Sequence, residues 1–370
     1  MIPRILGRAV VPVAVVVVLL VVAVLLLLAI GDSPVAAASA FWQGTFGNVP
    51  NAGTTLTQSV PLVLVALGWI VSIRSGRLHV GYPGQIIAGG TVATSVGLVC
   101  GGLPAPLAVL ITALAGILGG AAWAALTAWL WASRGVLEIV SSLLLNLVAT
   151  QIAAWLVRGP LQSPHDPQPQ TATFPASTLW PDVPFLTGQT LSFDVLLVPI
   201  CVIGVSLMLS RTSLGFGFRV SGGNESAARW AGYDPVRSGV TAIVISGGFA
   251  GLAGAALLFA GAAPWMSDGF EAGIGFNGIA VALLARNSPA GAILAAILFS
   301  SLNIGATSLQ AQLDVPASLA EVLQGAVVVL VLLAVAILYR RQLRSRPLIA
   351  ESPTKTVRPP RAAAAEKGAS

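Results

Sequence analysis

The chain has 370 residues, of which 56% are hydrophobic and only 9% charged. A soluble domain carries about 25% charged residues, so a soluble enzyme, a nucleic-acid-binding domain and a disordered body are excluded, and lipid is the natural solvent of the long apolar runs. The net charge of +6 resides outside those runs.

Residues 10–30 form an uncharged run of 21 residues, about 32 Å of helix and enough to cross the hydrocarbon core. Ala36-Ala37-Ala38-Ser39-Ala40 follows and resembles a signal-cleavage flank. Removal of the run as a signal is the competing reading. The apolar region of a signal is about 7–15 residues long, so a retained first span is expected. Further spans are expected at 56–73, 78–99, 103–131 and 137–156. The outer loop 158–192 holds Pro160, Pro164, Pro167, Pro169, Pro175, Pro181 and Pro184, which preclude a continuous helix. A sixth span at 193–209, a polar segment at 211–237 and a seventh span at 238–263 come next. The series ends with a short Gly-rich eighth span at 270–285, then 290–309 and 317–339. Residues 1–340 are thus expected to form one all-α polytopic domain of about ten transmembrane helices. Residues 341–370, basic and rich in Ala and Pro, are expected to be a disordered tail.

With the N-terminus inside, 18 of the 19 basic residues fall on the cytoplasmic side and only Arg158 lies outside. This meets the positive-inside rule, so the basic balance needs no nucleic acid. The expectation is a multi-pass protein of the cell's inner (plasma) membrane with both termini cytoplasmic.

Few residues here can do chemistry. Cys100 and Cys201 are too few and too far apart for a disulfide framework, and His79 and His165 are the only histidines, so no metal-ligand spacing exists. Lys355 and Lys367, the only lysines, lie in the tail, so no phosphate loop ends in Gly-Lys-Ser/Thr. No catalytic residue, metal or cofactor is expected, and any ATP must be bound by another chain. Ionisable residues are nearly absent from the span centres, where ion-coupled carriers place them. Glu138, Asp194 and Glu321 fall near span ends, as interfacial anchors or helix-start charges. The interior instead holds the amides Gln85, Asn146, Gln151, Asn277, Asn303 and Gln324. Each can tie helices together or bond a solute. As a set they suit an uncharged polyol or base, with Gln85, Asn146, Asn277 and Asn303 as the candidate pathway. Gly247, Gly251 and Gly254, like Gly116, Gly119 and Gly120, have the spacing of closely packed helices.

The segment 211–237 contains a short helix signal. Asn224 is a good N-cap, Glu225 suits the positive helix start and Gly232 suits the position after the end. Ala227, Ala228, Trp230 and Ala231 lie between, and Arg219 and Arg237 flank the unit as anchors. Such a helix either docks on a partner or lies at the lipid interface.

At these residues the chain resembles the permeases of bacterial ABC importers for simple sugars and nucleosides, in the ribose/galactose/branched-chain amino acid permease superfamily. The branch it resembles works with basic-membrane-protein-type lipoproteins. That branch's loop, Arg-Ala-Val-Gly-x-Asn-Pro-x-Ala-Ala-Arg-Tyr-Ala-Gly, is matched at Arg219, Gly222, Asn224, Ala227, Ala228, Arg229, Ala231 and Gly232. Gly275-Phe-Asn-Gly-Ile-Ala-Val-Ala-Leu-Leu-Ala-Arg-Asn-Ser-Pro289-Ala-Gly291 is similar to a second family stretch. Gly159-Pro-Leu-Gln, Pro169-Gln-Thr, Val315-Pro and Leu323-Gln-Gly325 resemble others. Two departures stand out. The family's Phe-Asn-Ile-Gly-x-Glu-Gly-Gln appears as Leu78-His79-Val80-Gly81-Tyr82-Pro83-Gly84-Gln85, and its Gly-Val-Asn-Glu as Gly135-Val136-Leu137-Glu138.

The resemblance implies the ABC importer permease fold and a subunit without catalytic activity of its own. It implies as partners two cytosolic ABC ATPase subunits, a second permease or a copy of this chain, and an extracellular substrate-binding lipoprotein. Arg219, Gly222, Asn224, Ala227, Ala228, Arg229, Trp230 and Gly232 would couple it to the ATPase. The rival class is an ion-gradient-coupled carrier or channel. An integral-membrane enzyme ranks third, for want of any Ser/His/Asp or metal constellation.

Overall fold

A computed structural model describes residues 33–313, apart from 165, 187, 188 and 262, together with 325 and 329. The expected spans at 10–30 and 317–339, Glu321, Gln324 and the tail lie outside the described residues.

Among the described residues the elements are helices and one small hairpin, joined by loops. In order it forms α1 (Pro34–Thr45), α2 (Val49–Arg74), α3 (Tyr82–Gly97), α4 (Ala105–Arg134), α5 (Glu138–Val157), β1 (Asp182–Leu186) and β2 (Gln189–Ser192). Then follow α6 (Asp194–Arg211), α7 (Ser213–Gly223), α8 (Glu225–Trp230), α9 (Pro235–Phe259), α10 (Ile274–Leu284) and α11 (Pro289–Leu313). Among the described residues six helices, α2, α4, α5, α6, α9 and α11, are long and apolar enough to cross a membrane. The antiparallel hairpin pairs Val183 with Leu191 and Pro184 with Thr190.

Residues 60–71 of α2 and 247–259 of α9 are apolar on every side, and such stretches belong in an interior. Residues 59–72 of α2 and 250–256 of α9 are buried without interruption. Around them α4 buries only alanines, glycines and threonines, and α4, α5, α6 and α11 expose Leu118, Leu144, Trp155, Ile200 and Leu294. An apolar outer surface of that extent is stable against lipid tails and not against water.

The most extensive contact joins α4 to α9, and its glycines explain why. A Cβ on Gly251 would lie 2.0 Å from the Gly116 carbonyl oxygen, and one on Gly120 would lie 2.3 Å from the Gly247 carbonyl oxygen. Helix α3 joins the same crossing, since a Cβ on Gly89 would meet the Gly251 Cα at 2.3 Å. The glycine spacing in the sequence is therefore backbone-to-backbone packing.

Four features differ from the sequence expectation. The signal-like flank is the helix α1, packed on α11, where Ser308 donates to the Ala40 carbonyl at 2.9 Å. The segment 211–237 holds a further helix, α7. The third span begins late, as α3, because residues 78–81 form no helix and Pro83 sets the first turn. The eighth span shortens to α10, 11 residues. Ala272 and Gly273 both take left-handed φ values, 43° and 79°, which no helix continues through. Glu271 then caps the start, accepting from Gly273 N–H at 3.1 Å and Gly275 N–H at 2.5 Å. The Phe270 ring meets Gly90, halfway along α3, so α10 starts deep inside the bundle.

Candidate functional site: a polar cavity and a capped surface helix

A cavity of about 790 Å³ lies between the N-terminal half of α2, the end of α9, the start of α10 and α11. Its walls include Gln58, Trp265, Phe270, Asn277, Phe299 and Asn303, with Asp182 and Ser192 of the hairpin above. Small-molecule sites have volumes of about 300–1,000 Å³ and combine apolar walls with a few polar groups. A shallower hollow of about 490 Å³, rich in amides (Gln43, Asn48, Asn51, Gln312), adjoins it through Thr54 and Gln58.

The Pro-rich loop covers this end because it has no helix of its own and spends its backbone groups on the α9–α10 connection. Thr171 N–H donates to the Met266 carbonyl at 3.0 Å, Phe174 N–H to Pro264 at 2.7 Å and Trp180 N–H to Phe259 at 2.9 Å. The Phe174 and Phe259 rings stack at 4.6 Å, and Arg158 pairs with Asp268 at 2.5 Å.

The four candidate pathway amides separate into two groups. Asn277 and Asn303 line the cavity. Gln85 and Asn146 lie where α3 meets α5. Asn146 donates to the Val80 carbonyl at 2.9 Å and accepts from Gly84 N–H at 3.0 Å, so its amide is committed to holding the start of α3. Gln85 is fully buried, and neither of its amide atoms has a partner among the described residues. Gln151 points outward among Leu147, Val148, Ile152 and Trp155. Gln58 escaped notice in the sequence because it sits one residue before Ser59 at the start of an apolar run, where a polar residue reads as a span edge.

Two family departures have structural consequences here. His79 shares a hydrogen bond with Ser246 of α9 at 2.9 Å. Pro83 is the surface on which Gly275 packs, with a Gly275 Cβ only 2.5 Å from the Pro83 nitrogen.

At the far end of α9 lies the segment 211–237. Asn224 Oδ1 accepts from Ala227 N–H at 3.0 Å, capping α8. Gly232 closes it with φ +80°, and Tyr233 N–H returns to the Ala228 carbonyl at 2.9 Å. Ala228 is fully buried, whereas Trp230 is 92% exposed. Arg229 lies beside Trp230 on α8 and is also exposed. The flanking arginines bond within the chain. Arg219 donates to the Leu209 carbonyl, and Arg237 pairs with its neighbour Asp234 at 3.4 Å. Gly222 lets α7 sit on the end of α2, since its Cβ would lie 2.4 Å from the Arg74 carbonyl. The tether that sequence reasoning missed is Arg77, which bridges Glu138 and Glu225.

An apolar helical bundle with a polar cavity at one end and a capped, tryptophan-bearing helix at the other is the architecture of a polytopic transport permease. The chain belongs to the family described as branched-chain amino acid transport system / permease component, whose profile matches residues 51–332. It is 34% identical over 309 residues to a glucose ABC transporter permease protein of Haloferax volcanii, covering 81% of each chain. It is 30% identical over 316 residues to a guanosine ABC transporter permease protein of Bacillus subtilis, covering 84% of this chain and 88% of that one. A nucleoside ABC transporter permease protein of Lactococcus lactis is 28% identical over 309 residues, covering 81% and 84%. No solved structure matches the chain at significance. The protein is therefore a multi-pass membrane subunit of an ABC transporter and not an enzyme, and as a permease it works with ATPase and substrate-binding components. The expected all-α permease fold and class are borne out.

Proposed function

We propose that this chain forms the translocation pathway of an ATP-driven importer for a small uncharged polar solute, a nucleoside or a simple sugar. The observation that carries the reading is the cavity, in which amides and aromatic rings converge and, among the described lining residues, Asp182 is the one charged group and no lysine or arginine is found. Rings offer a face to a base or to the C–H side of a sugar, and amides both donate and accept. Relatives named for glucose, guanosine and nucleoside transport support the same solute class. Asn277 and Asn303 bond the solute in the cavity, Gln85 is the next polar group along the path, and Asn146 holds the start of α3. The cavity end faces outward to a substrate-binding lipoprotein, and α8 faces the cytosol, where it docks on an ATPase subunit. Residues 1–340 form the permease domain, both termini are cytoplasmic, and a second permease or a copy of this chain completes the assembly.

The test is uptake of labelled guanosine and glucose by vesicles containing the complete complex. Uptake that survives an uncoupler but stops without ATP supports the reading, and uptake by this chain alone on an ion gradient overturns it. Asn277→Ala and Asn303→Ala should each lower uptake about 3- to 10-fold, the value of one hydrogen bond, with assembly unchanged. Equal loss of assembly would make them structural ties.

Orientation has its own test. Gln168→Cys should be labelled from outside by an impermeant thiol reagent, and Ser226→Cys only after permeabilisation, because the basic residues cluster at the α8 end. Labelling of both from the same side would sink the topology.

A further inference from the structure

We infer that Arg77 links α8 to the buried start of α3, so that movement of α8 repositions the segment 78–85; this rests on the reading of α8 as the ATPase-docking helix. Arg77 is a positioning residue. Its guanidinium is held from three elements at once. One amino group pairs with Glu138, the first residue of α5, at 3.2 Å, and the other pairs with Glu225, the first residue of α8. The Trp131 ring of α4 lies beneath, 4.2 Å from the guanidinium carbon. A planar fork held by two carboxylates and a ring has one geometry, unlike a solitary surface pair. The side chain is only 13% exposed.

The chain leaving Arg77 is equally constrained. Val80 N–H donates to Ser142 at 3.1 Å, and Asn146 holds both the Val80 carbonyl and Gly84 N–H. His79 is tied to Ser246 of α9. Within eight residues of Arg77 lies Gln85, buried and without a partner among the described residues. The only acidic residue of α8 therefore grips the handle of a segment that is rigid and packed against three spanning helices. The related loop pattern has proline where this chain has Glu225, so the link is a property of this sequence.

The experiment uses the complete transporter in lipid vesicles, with Cys100→Ser and Cys201→Ser. Val80→Cys reports on the segment, because only the Val80 backbone takes part in its hydrogen bonds. Its labelling by a maleimide is timed with and without the non-hydrolysable analogue AMP-PNP. The expected result is a nucleotide effect on labelling of about fivefold or more, the lower range of coupling between sites. Glu225→Pro should erase that effect with the ATPase still co-purifying, since proline is favoured at the first helical position and leaves α8 formed. Glu225→Gln and Arg77→Gln should act alike. Ser226→Cys, exposed on α8 and cross-linked to the ATPase, checks the underlying reading separately: no cross-link removes the docking helix itself. A cross-link together with an undiminished nucleotide effect in Glu225→Pro, or no effect in the parent, overturns the role of Arg77.

Discussion

Ala228→Pro is expected to abolish solute-stimulated ATP hydrolysis and to weaken recovery of the ATPase with the permease, while membrane insertion stays intact. Ala228 N–H makes the first intrahelical bond of α8, to the Asn224 carbonyl at 3.0 Å. Proline deletes that donor and costs about 3 kcal/mol in a helix interior. A six-residue helix has no reserve to absorb such a loss, because short helices are marginal without tertiary support. The segment lies outside the six spanning helices found among the described residues, so insertion has no reason to change.

Trp230→Ala separates the shape of the helix from its docking surface. Trp230 is 92% exposed, so removing its ring leaves the permease packing untouched. A tryptophan that fills a groove on a partner is worth about 2 kcal/mol or more, roughly a 30-fold loss of affinity. ATPase recovery should fall at low subunit concentration and return at high concentration, a pattern the proline variant should not share. A helix that merely lies on the lipid surface predicts neither loss. Normal transport and ATPase recovery in Ala228→Pro would retire the docking assignment.

The long helices were legible because their apolar runs are continuous, and the caps of α8 were legible because Asn224 and Gly232 act within a few residues of their own positions. The breaks before α3 and α10 were not. Hydropathy sees an unbroken stretch at 78–99 and at 270–285, whereas the breaks come from Asn146 and Ser142 on another helix and from the carboxylate of Glu271 turning back on its own backbone. Asn277 and Asn303 could be picked out as amides among apolar neighbours. Nothing local distinguished them from Asn146, whose amide is taken up by backbone 66 residues away. Arg77 was invisible for the same reason. It reads as one more positive charge at a span end, and its partners lie 61 and 148 residues further along the chain.

Gly251→Leu should remove the folded permease, whereas Gly204→Leu should leave it unchanged. At Gly251 a Cβ would lie 2.0 Å from the Gly116 carbonyl oxygen and 2.9 Å from the Gly120 Cα. Both are backbone atoms, so no rotamer change relieves the clash and α9 must move away from α4. Overpacking a core costs about 1–3 kcal/mol where side chains can shift, and here they cannot. Separation would also open the crossing with α3, where Gly89 faces Gly251. In lipid the loss is of close packing, which is what holds helices together when both surroundings are apolar. Gly204 lies on the outer face of α6 with nothing within 4 Å of its Cβ position, and leucine there improves helix propensity by about 0.8 kcal/mol. Detergent-solubilised fluorescent fusions run on size exclusion give the comparison. A monodisperse peak for Gly204→Leu beside aggregate for Gly251→Leu is the expected pair, and a monodisperse, thermally normal Gly251→Leu would mean that α4 and α9 do not meet through their backbones.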